Sequence, residues 1–330
     1  MRRRELLTAG SASALTLALA STLPARAQDK YPSRTVRLIV PTAAGGVYDL
    51  MGRLYVDRVG PSLGTAIVEN RAGGNAVVGV TAAATAAPDG YTLLLGSNST
   101  HIFQPAMMRN PPYDPVKQFE PVSTLSASWG CIAVAPRLQI NTLGELLDYA
   151  RKNPGQLSHG MRGVGDVSHM TAELLKQLAP GFAPQYIPYS QMAQAVRDLM
   201  SGDLLMTMPL VTRTLVELHH SGKIKLLAVT APKRLNVASD IATAIEAGVP
   251  QMIAAEYFYL FAPAGTPLPV LQHVNDLTRV ALTDDEFKAK LEGSGFDPLF
   301  AGGLADTRRQ FEAERARWLP IAEAAGTKIN

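Results

Sequence analysis

The chain predicts an α/β protein of two lobes, and three features of the sequence say so. Short apolar strands alternate with amphipathic helices from Tyr31 onward. A glycine-rich turn leading into a helix occurs twice, at Gly45-Gly46 and again about 115 residues later over 160–165. An apolar stretch at 254–262 then reads as a return crossing ahead of a mainly helical C-terminal part. Two such turns, one in each half, predict two similar lobes facing one cleft. The length of 330 residues allows about two domains.

The first strand is 36–40, a β-branched and aliphatic run that Pro41 stops because proline cannot donate to a sheet ladder. Gly45 and Gly46 follow, then a helix over 49–59 whose partly positive N-terminal end faces the same loop. Spacing alone fits two readings of this loop, an anion seat or a plain tight βα turn. A second strand at 66–69, a turn at Asn70–Gly74 and an alanine-rich helix at 77–87 come next, closed by Pro88-Asp89-Gly90. The third strand, 91–95, runs into the polar stretch Gly96–Thr100, where Ser97 and Asn98 suit either ligand hydrogen bonds or helix capping.

Residues 107–119 are proline-rich and irregular. Extended segments at 121–125 and 131–135 precede a helix to Arg151 opened by the capping box Thr142-x-x-Glu145. The second glycine turn, through Gly163 and Gly165, enters a helix at 170–178. A short loop at 187–190, a helix at 193–200, an extended run at 204–209, a helix at 211–220 and a strand at 225–230 complete this half. After the crossing, Pro263–Pro267 is a turn, and helices cover 270–282, 284–292 and 307 to about 325.

The N-terminus has its own pattern. Arg2-Arg3-Arg4 heads an apolar, small-residue run over 6–23, and Ala25-Arg26-Ala27 fits a cleavage site, so residues 1–27 read as an export signal with the mature chain starting near Gln28. The leading arginines leave open whether export is of the general or the twin-arginine type. The signal carries four arginines and one glutamate, so its removal takes the formal charge from +3 to 0. A neutral chain has no electrostatic footprint for nucleic acid. The one cysteine, Cys131, excludes an internal disulfide and sits in an apolar run as a buried thiol. No later stretch is long and apolar enough to be embedded in a membrane, and the expected location is the periplasm.

Residue patterns that carry chemistry are few. The six histidines form no metal-ligand pattern, and neither a nucleophile elbow nor a P-loop is present. Ser168-His169 are neighbours in sequence, which leaves a hydrolase as a remote alternative. The residues point to binding, with no catalytic residue, metal or cofactor expected.

The segments VRLIVPTAAGGVYDLMGR, VENRAGG, APDGYTLLLGSNST, YDPVKQFEPVS, ARKNPGQLSHG, GVGDVSHMTAEL, IPYS, KIKLLAVTAPKR and LFAPAGTP, in this order, resemble the Bug family. These are extracytoplasmic solute-binding proteins of tripartite tricarboxylate transporters. The resemblance implies a two-lobe periplasmic-binding-protein fold with two crossover segments, the lobes being 28–127 plus 257–330 and 128–256. It implies a small organic acid as ligand, a carboxylate with an aromatic acid as one option, delivered to membrane transporter components. The alternative is a sensory module of the same fold without a permease.

Carried over by position, the ligand loops are Thr42, Gly45, Gly46 and Asp49, then Ser97 and Asn98, then Gly163, Val164, Gly165, Asp166 and His169, and finally Tyr189. Asp49 is expected to brace its helix, and His169 to orient the turn. The chain departs from the family pattern at Thr42, where an aromatic is usual, and at Met161 and Asp166, where serines are usual. It departs again at Ser190 and Gln191, at Leu205 in place of an acid, and near Ala242, where a proline is missing. These departures bear on the ligand, not on the fold. Met161, Met206 and Met208 fit either an apolar pocket or core filling.

Overall fold

A computed structural model describes residues 31–299 and 302–326. The export signal and the cleavage site lie outside the described residues. The chain divides after Ser33, and the fold set out here is that of the unit beginning at Arg34.

Strand β1 (Val36–Val40) and helix α1 (Val47–Val59) flank the first glycine turn, and β2 (Ala66–Asn70) and α2 (Val77–Ala84) follow. Strand β3 (Thr92–Ser97) is completely buried and takes in Gly96 and Ser97, which the sequence pattern places in a loop. The next residues wind into a buried π-helical turn, Ser99–Phe103, that leads straight into the short α3 (Gln104–Met107). The long strand β4 (Phe119–Trp129) passes through Gly130 into β5 (Cys131–Val134).

Helix α4 (Leu143–Lys152) opens on the expected capping box, with Thr142 Oγ1 accepting from the Glu145 N–H and the Glu145 carboxylate accepting from the Thr142 N–H. Strand β6 (Ser158–Met161), α5 (Val167–Leu178), β7 (Gln185–Pro188) and α6 (Met192–Ser201) build two parallel crossovers. Strand β8 (Met206–Thr207), α7 (Arg213–His220) and β9 (Lys225–Val229) finish that sheet. Strand β10 (Ala255–Pro263) returns to the first sheet, followed by α8 (Leu268–Thr283), α9 (Asp285–Gly293), β11 (Asp297–Pro298) and α10 (Leu304–Ala324).

Two sheets result. One has the order β11-β4-β10-β3-β1-β2 and the other β7-β6-β8-β5-β9. In the first, β1, β2 and β3 are parallel, so the carboxyl ends of β1 and β3 open on one edge. In the second, β6 is parallel to β7 and β8, and their carboxyl ends likewise share one edge. The antiparallel β4–β10 ladder runs from Phe119↔Pro263 to Trp129↔Ala255 and carries the chain toward the second sheet on both sides. At the passage, Thr230 donates through its backbone N–H to Gly130 O and through its hydroxyl to Ala254 O. Helix α10 packs on β4, on the turn at 99–103 and on α5, so it touches both halves. The Cys131 thiol is buried, and burial pushes it up to about 12.

Candidate functional site

The β1–α1 turn is held by Asp49. Its carboxylate accepts from the Gly45 N–H at 2.9 Å, from Arg53 Nε at 2.9 Å and from Asn70 Nδ2 at 2.9 Å. Burial is the largest influence on this carboxyl and works upward, but the hydrogen bonds from Arg53, Gly45 and Asn70 together hold it below the usual carboxylate range. Asp49 therefore braces the turn, as its sequence position implies. Gly45 takes φ +85°, where a side chain is strained, and its N–H is committed to Asp49 rather than bare. Gly46 caps α1 with no side-chain hydrogen bond, so the first-turn amides of that helix have no side-chain cap. Thr42 offers a buried Oγ1 with no partner among the described residues, while its carbonyl accepts from Asn70.

At the end of β3, Ser97 Oγ lies 2.5 Å from Tyr48 Oη, and the Tyr48 hydroxyl donates to Glu256 Oε1 at 2.5 Å. With the tyrosine proton directed to Glu256, Ser97 is the donor of that pair. Ser99 adds its N–H to Glu256 Oε1 and its hydroxyl to Oε2 at 2.9 Å. Glu256 is wholly buried; burial pushes its carboxyl up, against the pull of its hydrogen bonds and of the Arg162 charge. Asn98 is also buried, with Nδ2 turned to Ala255 O and Glu314, and Oδ1 has no partner among the described residues.

The second turn, like the first, is held by an aspartate paired with an arginine. Asp166 is the N-cap of α5, and its Oδ1 accepts the His169 N–H at 2.9 Å. Its Oδ2 takes the Arg162 N–H at 3.3 Å and Arg162 Nε at 3.4 Å. The partly positive end of α5 is thus met by a carboxylate of the chain itself. Gly165 adopts φ +77° and gives its N–H to His169 Nδ1 at 3.3 Å. The other ring nitrogen of His169 then carries the proton, 3.9 Å from Glu173 Oε1. Burial lowers the His169 pKa, so the ring is neutral and orients the turn. Tyr189 follows β7, and its hydroxyl is committed to Asp198 at 2.9 Å.

The second turn meets the other half. Asn75 Nδ2 donates to Val164 O at 3.4 Å, and a Cβ on Gly163 would stand 3.1 Å from the same amide. A Cβ on Gly165 would fall 2.9 Å from Gln104 Cα, backbone against backbone. The Arg162 guanidinium lies 5.7 Å from the centre of the Tyr48 ring. Gly163, Val164 and Gly165 of one half are thereby brought against Asn75 and Gln104 of the other, with Arg162 beside Tyr48, while Gly45 and Gly46 are exposed.

Arg162 lies in the second turn, and Tyr48 and Glu256 reach it from α1 and β10. Sequence reasoning missed all three as site residues. A signal for Glu256 existed, since it is the lone charge in the apolar run 254–262. Ser168 and His169 do not form a dyad. Ser168 Oγ bonds His159 Nε2 and Gly160 O, each at 3.3 Å, in a fully buried setting. Met206 and Met208 belong to the hydrophobic core.

Two α/β lobes joined by crossing strands define the two-lobe periplasmic-binding-protein fold. The chain belongs to the tripartite tricarboxylate transporter family receptors, whose family model matches residues 53–327. It is 31% identical over 311 residues to BugT of Bordetella pertussis, covering 91% of this chain and 92% of BugT. Among solved structures it resembles an R. palustris protein with adipate (32% identity, TM-score 0.83, 91% of this chain and 100% of that one). It also resembles the periplasmic binding protein BugD (29%, TM-score 0.80, 91% and 100%). A third likeness is to MatC from Rhodopseudomonas palustris with bound malate (29%, TM-score 0.78, 88% and 100%). Among the described residues no helix is long and apolar enough to cross a membrane.

Proposed function

We propose that the protein is an exported, periplasmic solute-binding protein that captures a small carboxylate between its two lobes and presents it to a membrane transporter, without turning it over. The observation that carries this reading is the meeting of the second glycine turn with the other half at Asn75 and Gln104, with the Arg162 guanidinium set against Asp166, the Tyr48 ring and the charge of Glu256. A cation set among buried polar groups suits an anion and offers no activated nucleophile. Relatives solved with adipate and malate support a carboxylate as the ligand class.

The binding residues of this proposal are Thr42, Gly46, Ser97, Gly163, Val164 and Gly165, with Asp49, Asp166 and His169 holding the turns in shape. Asn98 and Tyr189, whose donors face other partners, act from behind. The lobe boundaries expected at 127/128 and 256/257 fall within the last rungs of the β4–β10 ladder. The turning points of the motion we propose are one step further on, at Gly130 and Ala254, where three backbone segments meet through Thr230.

A thermal-shift screen of the chain from Gln28 onward tests this. Aliphatic and aromatic carboxylates are compared with amines and neutral analogues of equal size. A ligand at a hundredfold excess over its Kd adds about 2.7 kcal/mol to stability. The expected result is a rise in Tm with at least one acid and none with its amide. A shift confined to amines or neutral compounds contradicts the proposal.

A further inference from the structure

The second turn contains more charge than backbone-only recognition of an anion requires. Arg162 spends Nε on Asp166, and neither of its two terminal nitrogens makes a hydrogen bond to any described residue. Its side chain is only 25% exposed, with the Tyr48 ring centre 5.7 Å from the guanidinium. A guanidinium on a side chain three-quarters buried, whose two terminal nitrogens reach solvent with no acceptor among the described residues, is open to a planar, two-oxygen acceptor.

Around it stand two carboxylates already provided for. Asp166, 1% exposed, fills the N-terminal end of α5 and receives the His169 N–H. Glu256, 0% exposed, is surrounded by the Tyr48 and Ser99 donors. His169, buried and neutral, brings no positive charge. Asp49 and Arg53 pair with each other at the first turn.

We infer that Arg162 receives the ligand's carboxylate by a bidentate contact, and that the ligand is a monocarboxylate. This rests on the solute-binding reading above and deepens it. One carboxylate completes the arms of Arg162. A second, enclosed in the same low-dielectric cleft, meets Asp166 and Glu256 with no cation left to offset it. At α5 the anion seat that a helix N-terminus ordinarily offers is taken by the chain's own Asp166. The selectivity is thus built from an added arginine and from acids that exclude a second charge.

The test is calorimetric titration of the mature protein with matched probes: the aliphatic monoacids from acetate to octanoate against the diacids of equal length, and benzoate against terephthalate. The expected result is a monocarboxylate binding at least tenfold tighter than its diacid. In Arg162→Gln, with an unchanged far-ultraviolet circular dichroism spectrum, that affinity falls tenfold or more. Arg162→Lys, which keeps the charge and loses the fork, gives an intermediate loss. Glu256→Gln narrows the gap between monoacid and diacid by raising affinity for the diacid. Tighter binding of a diacid overturns the inference and leaves the carboxylate reading standing, as does full affinity in Arg162→Gln. Absence of binding by every acid overturns both.

Discussion

Asp49→Ala lowers the free energy of unfolding by about 3 kcal/mol at neutral pH, the order expected when several hydrogen bonds to one buried carboxylate are lost. The carboxylate is the common acceptor for the Gly45 N–H, Arg53 Nε and Asn70 Nδ2, so it ties the turn to α1 and to the end of β2. Without it, the Asn70 amide and the Gly45 N–H lose their shared acceptor, and the turn that lines the cleft loosens. Ligand affinity falls together with stability.

The pH dependence gives a second signature. The carboxyl is held below its ordinary 3.8 in the folded chain, so its contribution is present in full above that value. It is lost as pH falls through the lower, folded pKa. Urea melts of wild type and Asp49→Ala therefore differ by a constant amount from about pH 5 to pH 8 and converge below 3.8. A gap that persists undiminished at pH 2 contradicts this role.

Gly165→Val abolishes closure while leaving each lobe folded. At φ +77° a β-branched residue is strained, at a cost of about 1–3 kcal/mol. The added Cβ would also stand 2.9 Å from Gln104 Cα and 3.0 Å from Gln104 N, backbone atoms that cannot step aside. That clash exists only where the lobes touch, so it falls on the bound form. The expected loss of affinity is a hundredfold or more, read by calorimetry. Gly163→Ala, whose Cβ would meet only the flexible Asn75 side chain at 3.1 Å, loses far less. Equal losses in the two variants would show that the lobes do not close at Gly165.

The sequence made much of the architecture readable because most elements are long and locally punctuated. The Thr142-x-x-Glu145 box, the Pro88-Asp89-Gly90 turn and the apolar run of β1 each act through near neighbours. Several short elements were not readable: β6 and β7 span four residues each and β11 two, and they exist only because neighbouring strands pair with them. Ser97–Thr100 looks like a polar surface loop, yet tertiary packing buries all of it.

The site divides in the same way. Gly45 and Gly165 are visible because their positive φ demands glycine locally, whereas a Cβ on Gly163 would crowd Asn75 of the other half and Gly46 is under neither constraint. The grouping of Tyr48, Arg162 and Glu256 comes from three segments far apart in the chain and appears only when the lobes meet. Asp166 was visible as a departure from the family pattern. Arg162, four residues before it, was legible as the charge to offset it, but the role of Asp166 as the cap of α5 was not.

The central claim is capture of one carboxylate without chemistry, and one measurement addresses it directly. The acid giving the largest thermal shift is titrated calorimetrically into the mature protein, and the bound compound is then recovered and weighed by mass spectrometry. The account predicts one site per chain and a ligand returned unchanged. No saturable heat from any carboxylate, or recovery of a converted product, would contradict it.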